Sequence, residues 1–161
     1  MKLSKKHWSR IAVFTGIFLF LLVVAGFLIP FRETIHYAAP ALIWSQEDNT
    51  ALAGAAFELR GHIDRFLLRK DTVSGTLTVT PDGAFPELII PLEKETCLRF
   101  LDGSLLSFGY YENGAAKTCS LWFGDDLQAF EVYSSVYGSQ IRVTAPACSM
   151  EDVRGVRVDI F

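Results

Sequence analysis

The chain has little of what most enzyme sites are built from. Its 161 residues include only three histidines and three cysteines, and no CxxC, HxH or HExxH spacing joins them, so no zinc signature is spelled out. The lack of a CxxC pair at a helix start leaves thiol–disulfide exchange without its reactive couple. No GxSxG elbow is present, which removes the usual serine-hydrolase signature. Basic excess is missing as well: the formal net charge is −3, which argues against nucleic acid, whose binding rewards basic patches. Repeats, low-complexity tracts and a long Pro/Ser linker are also absent. Beyond the N-terminal region, therefore, a single domain is expected.

What stands out instead is one uncharged run, Ile11 to Phe31, behind Lys2, Lys5, Lys6 and Arg10. As a helix rising about 1.5 Å per residue it would reach roughly 31 Å, the thickness of a hydrocarbon core. This predicts a basic cytoplasmic tail over 1–10, a transmembrane signal anchor over 11–31 and an extracytoplasmic domain over 32–161. The positive-inside bias supports that orientation, because the 18 acidic residues all follow the run with only 11 of the 15 cations. The rival is a signal peptide cut after Ala25. It is disfavoured because the apolar run is longer than a signal core and the cut would expose Gly26 to Phe31 as a greasy terminus.

The distal domain has a period of two. Phe57, Leu59, Gly61 and Ile63 alternate with Glu58, Arg60, His62 and Asp64, the pattern of a strand with one dry face. Turn chemistry recurs at Lys70–Gly75, Pro81-Asp82-Gly83, Asp102-Gly103 and Asn113-Gly114. Further strands are expected over 86–92, 127–134, 140–145 and 153–161, with 37–46 as a stalk or first strand. About eight short strands and no long distal helix predict an all-β antiparallel sandwich or barrel.

Two-residue loops fix register. Pairing across Asn113-Gly114 sets Phe108 opposite Cys119, Leu106 opposite Leu121 and Tyr110 opposite Lys117. Pairing across Asp102-Gly103 sets Cys97 opposite Phe108 and Arg99 opposite Leu106. Cys97 and Cys119 would then flank Phe108, two strand spacings or about 9.6 Å apart, too far for a disulfide. Cys148, in a loop, could still reach one of them; otherwise the thiols act as small apolar filler.

The remaining polar residues offer little candidate chemistry. His62 is a lone strand residue. The doublets Glu47-Asp48, Asp125-Asp126 and Glu151-Asp152 suit ordinary turns better than a glycosidase pair or a calcium loop, because adjacent strand residues face opposite ways. The sortases, anchored transpeptidases, carry a TLxTC strand end; here Thr76-Leu77-Thr78-Val79-Thr80 runs into Pro81, without the required sulfur. Cys148 with His62 and Arg142 is not joined by any motif. Aromatics are the last candidate: Tyr111 and Trp122 project to the face opposite Phe108 and Tyr110. If that face is open, they offer a patch for a protein partner or a sugar ring.

The stretch Leu59-Arg60-Gly61, Arg65 to Asp71 and Ser74 to Val79 resembles a pattern in small membrane-anchored proteins of Gram-positive bacteria. The resemblance spans about twenty-five residues and implies an anchored extracytoplasmic β-domain, with no activity or site residue attached. The sequence thus leads to a binding or structural module at the cell envelope, touching a lipid bilayer through 11–31 and an envelope protein or glycan through its β-domain. No cofactor, metal or catalytic residue is expected. The alternative is an envelope enzyme using a cysteine nucleophile or a carboxylate pair.

Overall fold

Alternation of inward and outward side chains, interrupted between Ile43 and Trp44 and between Val73 and Gly75, carries this chain around a barrel. The structure, a computed structural model, describes residues 5–99, 103–112, 114–124 and 126–156, with side chains from residue 11 onward except 12 and 112. The elements are α1 (Lys5–Leu28), β1 (Phe31–Ser45), β2 (Thr50–Arg65), β3 (Thr72–Pro81), β4 (Leu88–Arg99), β5 (Gly103–Glu112), β6 (Ala115–Gly124), β7 (Phe130–Ser134), β8 (Ile141–Ala145) and α2 (Met150–Val156). The eight strands follow one another in order, all antiparallel, and β8 closes back on β1. Closure removes the open sheet edges that a sandwich would have to protect.

Phe57, Leu59 and Ile63 of β2 point inward as their alternation requires, meeting Leu77 and Val79 of β3, Ile90 of β4, Leu106 of β5, Leu121 of β6 and Val132 of β7 in one core. Tyr37, Phe57, Phe123 and Phe130 stack within it, ring centroids 4.5–6.2 Å apart. A smaller cluster lies outside the barrel, where α2 lays Val153 and Met150 over Leu42 and Trp44. Trp44 Nε1 donates to Thr144 Oγ1 at 2.9 Å across the β1–β8 seam.

The anchor expected over 11–31 is corrected. The run is not one element: the helix ends at Leu28, Ile29 and Pro30 turn the chain, and Phe31 already belongs to β1. Proline supplies no N–H and cannot continue a helix that it ends. The helical part of the apolar run, 11–28, is about 27 Å long, short of a core of about 30 Å. Among the described residues no helix is long and apolar enough to cross a membrane. Residues 5–10 of the expected tail are helical and continuous with the rest of α1.

Other boundaries move for identifiable reasons. Of residues 37–46, expected as a stalk or first strand, 37–45 belong to the 15-residue strand β1 and Gln46 to the turn after it. The expected strand over 153–161 is helical as far as Val156, with 157–161 outside the described residues. Ser149 and Asp152 cap that helix reciprocally: the Asp152 N–H donates to Ser149 Oγ at 3.2 Å, and Asp152 Oδ2 accepts from the Cys148 and Ser149 N–H groups at 2.9 Å each. Across Asn113-Gly114 the pairs are Phe108–Cys119, Leu106–Leu121 and Tyr110–Lys117. Across Asp102-Gly103 the two-residue loop fails: Cys97 pairs with Leu106 and Arg99 with Ser104, a shift of two that keeps every side chain on its face. Asp102 and Asn113 themselves lie outside the described residues.

Candidate functional site

The end of the barrel next to α1 brings Arg65, Arg69, Lys70 and Arg99 together with the exposed Leu67, Leu68 and Leu98. β2 ends at Arg65, and the turn to β3 folds Phe66 under the barrel while leaving Leu67 and Leu68 exposed, 72% and 48%. This turn is pinned by one buried carboxylate. Asp71 Oδ1 accepts the Phe66 N–H at 2.9 Å, its backbone carbonyl accepts the Cys97 N–H at 2.9 Å, and its other oxygen pairs with Arg99 Nη2, with Arg65 Nη1 at 4.0 Å. Buried carboxylates need such partners. The result ties residues 66–71 to the end of β4, far away in sequence.

Between this turn and β4 runs a cleft of about 520 Å³. Arg69, Lys70 and Arg99 supply three positive charges to its lining against the single Asp71, and Phe66, Leu67, Leu68 and Leu98 supply apolar walls. The Arg69 guanidinium lies 3.8 Å from the centre of the Phe66 ring, a cation–π contact that holds the side chain while leaving its N–H groups available. Arg99 keeps about half its side chain exposed while paired to Asp71, so most of its five donors remain for another acceptor. Arg65 is held by Glu33, Nε to Oε2 at 3.0 Å. The Cys97 thiol at the cleft floor is pushed up to about 12, first by burial and then by Asp71; it stays protonated there and acts as wall rather than nucleophile.

The same end receives α1. The Leu68 N–H donates to the Gly26 carbonyl at 3.3 Å, and Gly26 is buried against the Leu68 side chain. A β-carbon at Gly26 would come within 3.0 Å of Leu68 Cδ1, so glycine permits the approach. Above this contact, α1 exposes apolar side chains on every side, Phe14, Phe18 and Phe20 among them.

The residues singled out from the sequence lie elsewhere. Tyr111 is 84% exposed and Trp122 half-buried, both on the outer face. Tyr111 pairs with Ala116 and Trp122 with Leu105, so six residues, about 20 Å, separate them along the hairpin. They do not form one patch. Trp122 also pairs with Glu131, which lies 3.7 Å from Arg142 Nε. Arg142 stacks on Tyr133 at 4.6 Å and joins neither His62 nor Cys148. His62 Nε2 is 3.9 Å from Asp64 Oδ2. All three cysteines are free thiols, Cys97 and Cys119 buried and Cys148 exposed. Among the described residues no three metal-ligating side chains converge; Asp125 lies outside them.

No family model, curated protein or solved structure matches the chain. Sequence reasoning treated Lys70 to Gly75 as a turn and missed the cleft; the signal was the run Arg65 to Lys70, two leucines within a group of cations.

Proposed function

We propose that this chain is a binding or structural module of the cell envelope that docks against an anionic lipid surface with the α1-proximal end of its barrel. One observation carries it: cations and exposed leucines share that end with a helix apolar all round. Arg69, Lys70 and Arg99 suit acidic headgroups, each worth about 1 kcal/mol near such a surface. Leu67, Leu68 and Leu98, exposed at 72%, 48% and 44%, suit the acyl boundary beneath. The apolar side chains of α1 favour the same medium, since water penalises a helix that is hydrophobic all round.

The test compares vesicles of phosphatidylcholine with vesicles in which about a third of the lipid is phosphatidylglycerol, mixed with the full chain and separated by flotation. Stronger flotation with the anionic vesicles, weakened by raising salt, is the expected result. Equal flotation with both at low salt would overturn the reading, because apolar contact alone would then explain the association.

A further inference from the structure

The three cations of the cleft do not simply coat a surface. They line a concavity whose floor and walls are apolar. We infer that this cleft, between residues 66–71 and 97–99, is a site for one phosphate-bearing lipid headgroup, with the first methylenes of its chains against Leu67, Leu68 and Leu98. This deepens the lipid-surface reading and rests on it.

Charge selects the ligand class. The lining carries three cations and one carboxylate, a surplus of two, which matches a phosphate monoester better than a singly charged carboxylate. Arginine's fork meets phosphate oxygens in a bidentate manner and lysine adds a point charge. Size agrees as well, since about 520 Å³ lies within the range of roughly 300–1,000 Å³ common for small-ligand sites. Asp71 serves as a positioning residue: it fixes the turn through the Phe66 N–H and aims Arg99. Phe66 does the same for Arg69. Lys70 is exposed, and among the described residues no carboxylate pairs with it, so its substitution disturbs the fold least.

The experiment uses the full chain in a neutral non-ionic detergent, with backbone amide shifts followed by NMR. The probes are dihexanoyl phosphatidic acid, dihexanoyl phosphatidylcholine and inorganic phosphate. Saturable shifts confined to residues 66–71 and 97–99 are expected with phosphatidic acid, at least tenfold tighter than with phosphatidylcholine or phosphate alone, and weakened at least tenfold by Lys70→Glu. An Ile89→Ser variant, altered on a distant exposed strand position, should bind as the parent does. Equal affinity for inorganic phosphate would make the site one for free phosphate and overturn the lipid assignment. Shifts that never saturate, or that Lys70→Glu leaves unchanged, would overturn the cleft while salt-sensitive flotation with anionic vesicles still stood. Loss of that flotation preference in the parent chain would remove the broader reading instead.

Discussion

Gly61 and Gly75 face each other directly across β2 and β3, and neither position has room for a β-carbon. One built on Gly61 would lie 2.1 Å from the Ser74 carbonyl oxygen, and one on Gly75 would lie 2.1 Å from that of Arg60. Gly75 also has a φ of 152°, which L side chains rarely adopt. The two strands approach here more closely than side chains allow, just above the turn that builds the cleft. Gly75→Ala is expected to cost about 1–3 kcal/mol from backbone strain and a similar amount from overpacking. Urea denaturation reads this, and a loss under about 0.5 kcal/mol, the usual scale of surface changes, would contradict the close approach.

Thiol reactivity should divide the cysteines one to two. Cys148 is exposed, whereas Cys97 and Cys119 are buried with thiols pushed up to about 12, in both cases chiefly by burial. Iodoacetamide on the native protein at pH 8 is expected to add one group, and three after denaturation, as counted by intact mass. Native labelling of Cys119 at a rate like that of Cys148 would show that the barrel opens.

Acid should weaken the fold partly through Asp64. Hydrogen bonds from Arg32, at 2.7 and 3.0 Å, hold its carboxyl below the usual range, with burial opposing them. Because the folded-state value is depressed, the stabilisation is complete above the unfolded value of about 3.9 and disappears as pH falls through the folded one. Asp152, held down by the Cys148 N–H and by Ser149, acts in the same direction. Tm is expected to fall between pH 5 and pH 2, and Asp64→Asn should reduce that fall while lowering Tm at pH 7. An unchanged pH slope in the variant would remove Asp64 from this account.

The β1–β8 seam depends on a bond between side chains on the outside of the barrel. Thr144→Val keeps the shape of the buried Thr144 but deletes the acceptor of the Trp44 indole N–H, and should cost about 1–3 kcal/mol. Retained α2 docking, seen as an unchanged tryptophan emission maximum, is expected alongside. A loss within about 0.3 kcal/mol would show that the bond contributes nothing net.

Tyr111 and Leu121 make a further contrast. Tyr111→Ser, at a position 84% exposed, should change stability by no more than about 0.5 kcal/mol. Leu121→Ala, on the inward side of the same hairpin and fully buried, should cost about 2–5 kcal/mol. Thermal melts of both variants compare the two faces. Similar losses would mean that the faces were assigned the wrong way round.

Some of this was readable before folding and some was not. The inward set Phe57, Leu59, Gly61 and Ile63 follows from alternation alone, because successive strand residues point to opposite faces. The β5–β6 pairs follow from the tight Asn113-Gly114 loop, where register depends only on residues a few positions away. The β4–β5 register did not follow from the Asp102-Gly103 dipeptide, since Arg99 pairs with Ser104 and Gly103 already belongs to β5. The strand expected over 153–161 overlaps helix α2 at 153–156, because seven residues give a helical period too little room to register. The apolar run likewise hides its own end: a transfer scale sums hydropathy along 11–31, whereas Pro30 and the pairing of Phe31 with Arg65 decide where helix stops and barrel begins.

By itself, the sequence determined an antiparallel β-domain behind an apolar N-terminal helix, because both follow from periodicity and composition over short windows. Only the tertiary structure decided that β8 closes on β1, that Tyr111 and Trp122 lie about 20 Å apart and that Asp71 reaches Arg99 to form a basic cleft. Those facts depend on contacts between distant segments, and no local pattern encodes which distant partner a strand end will meet.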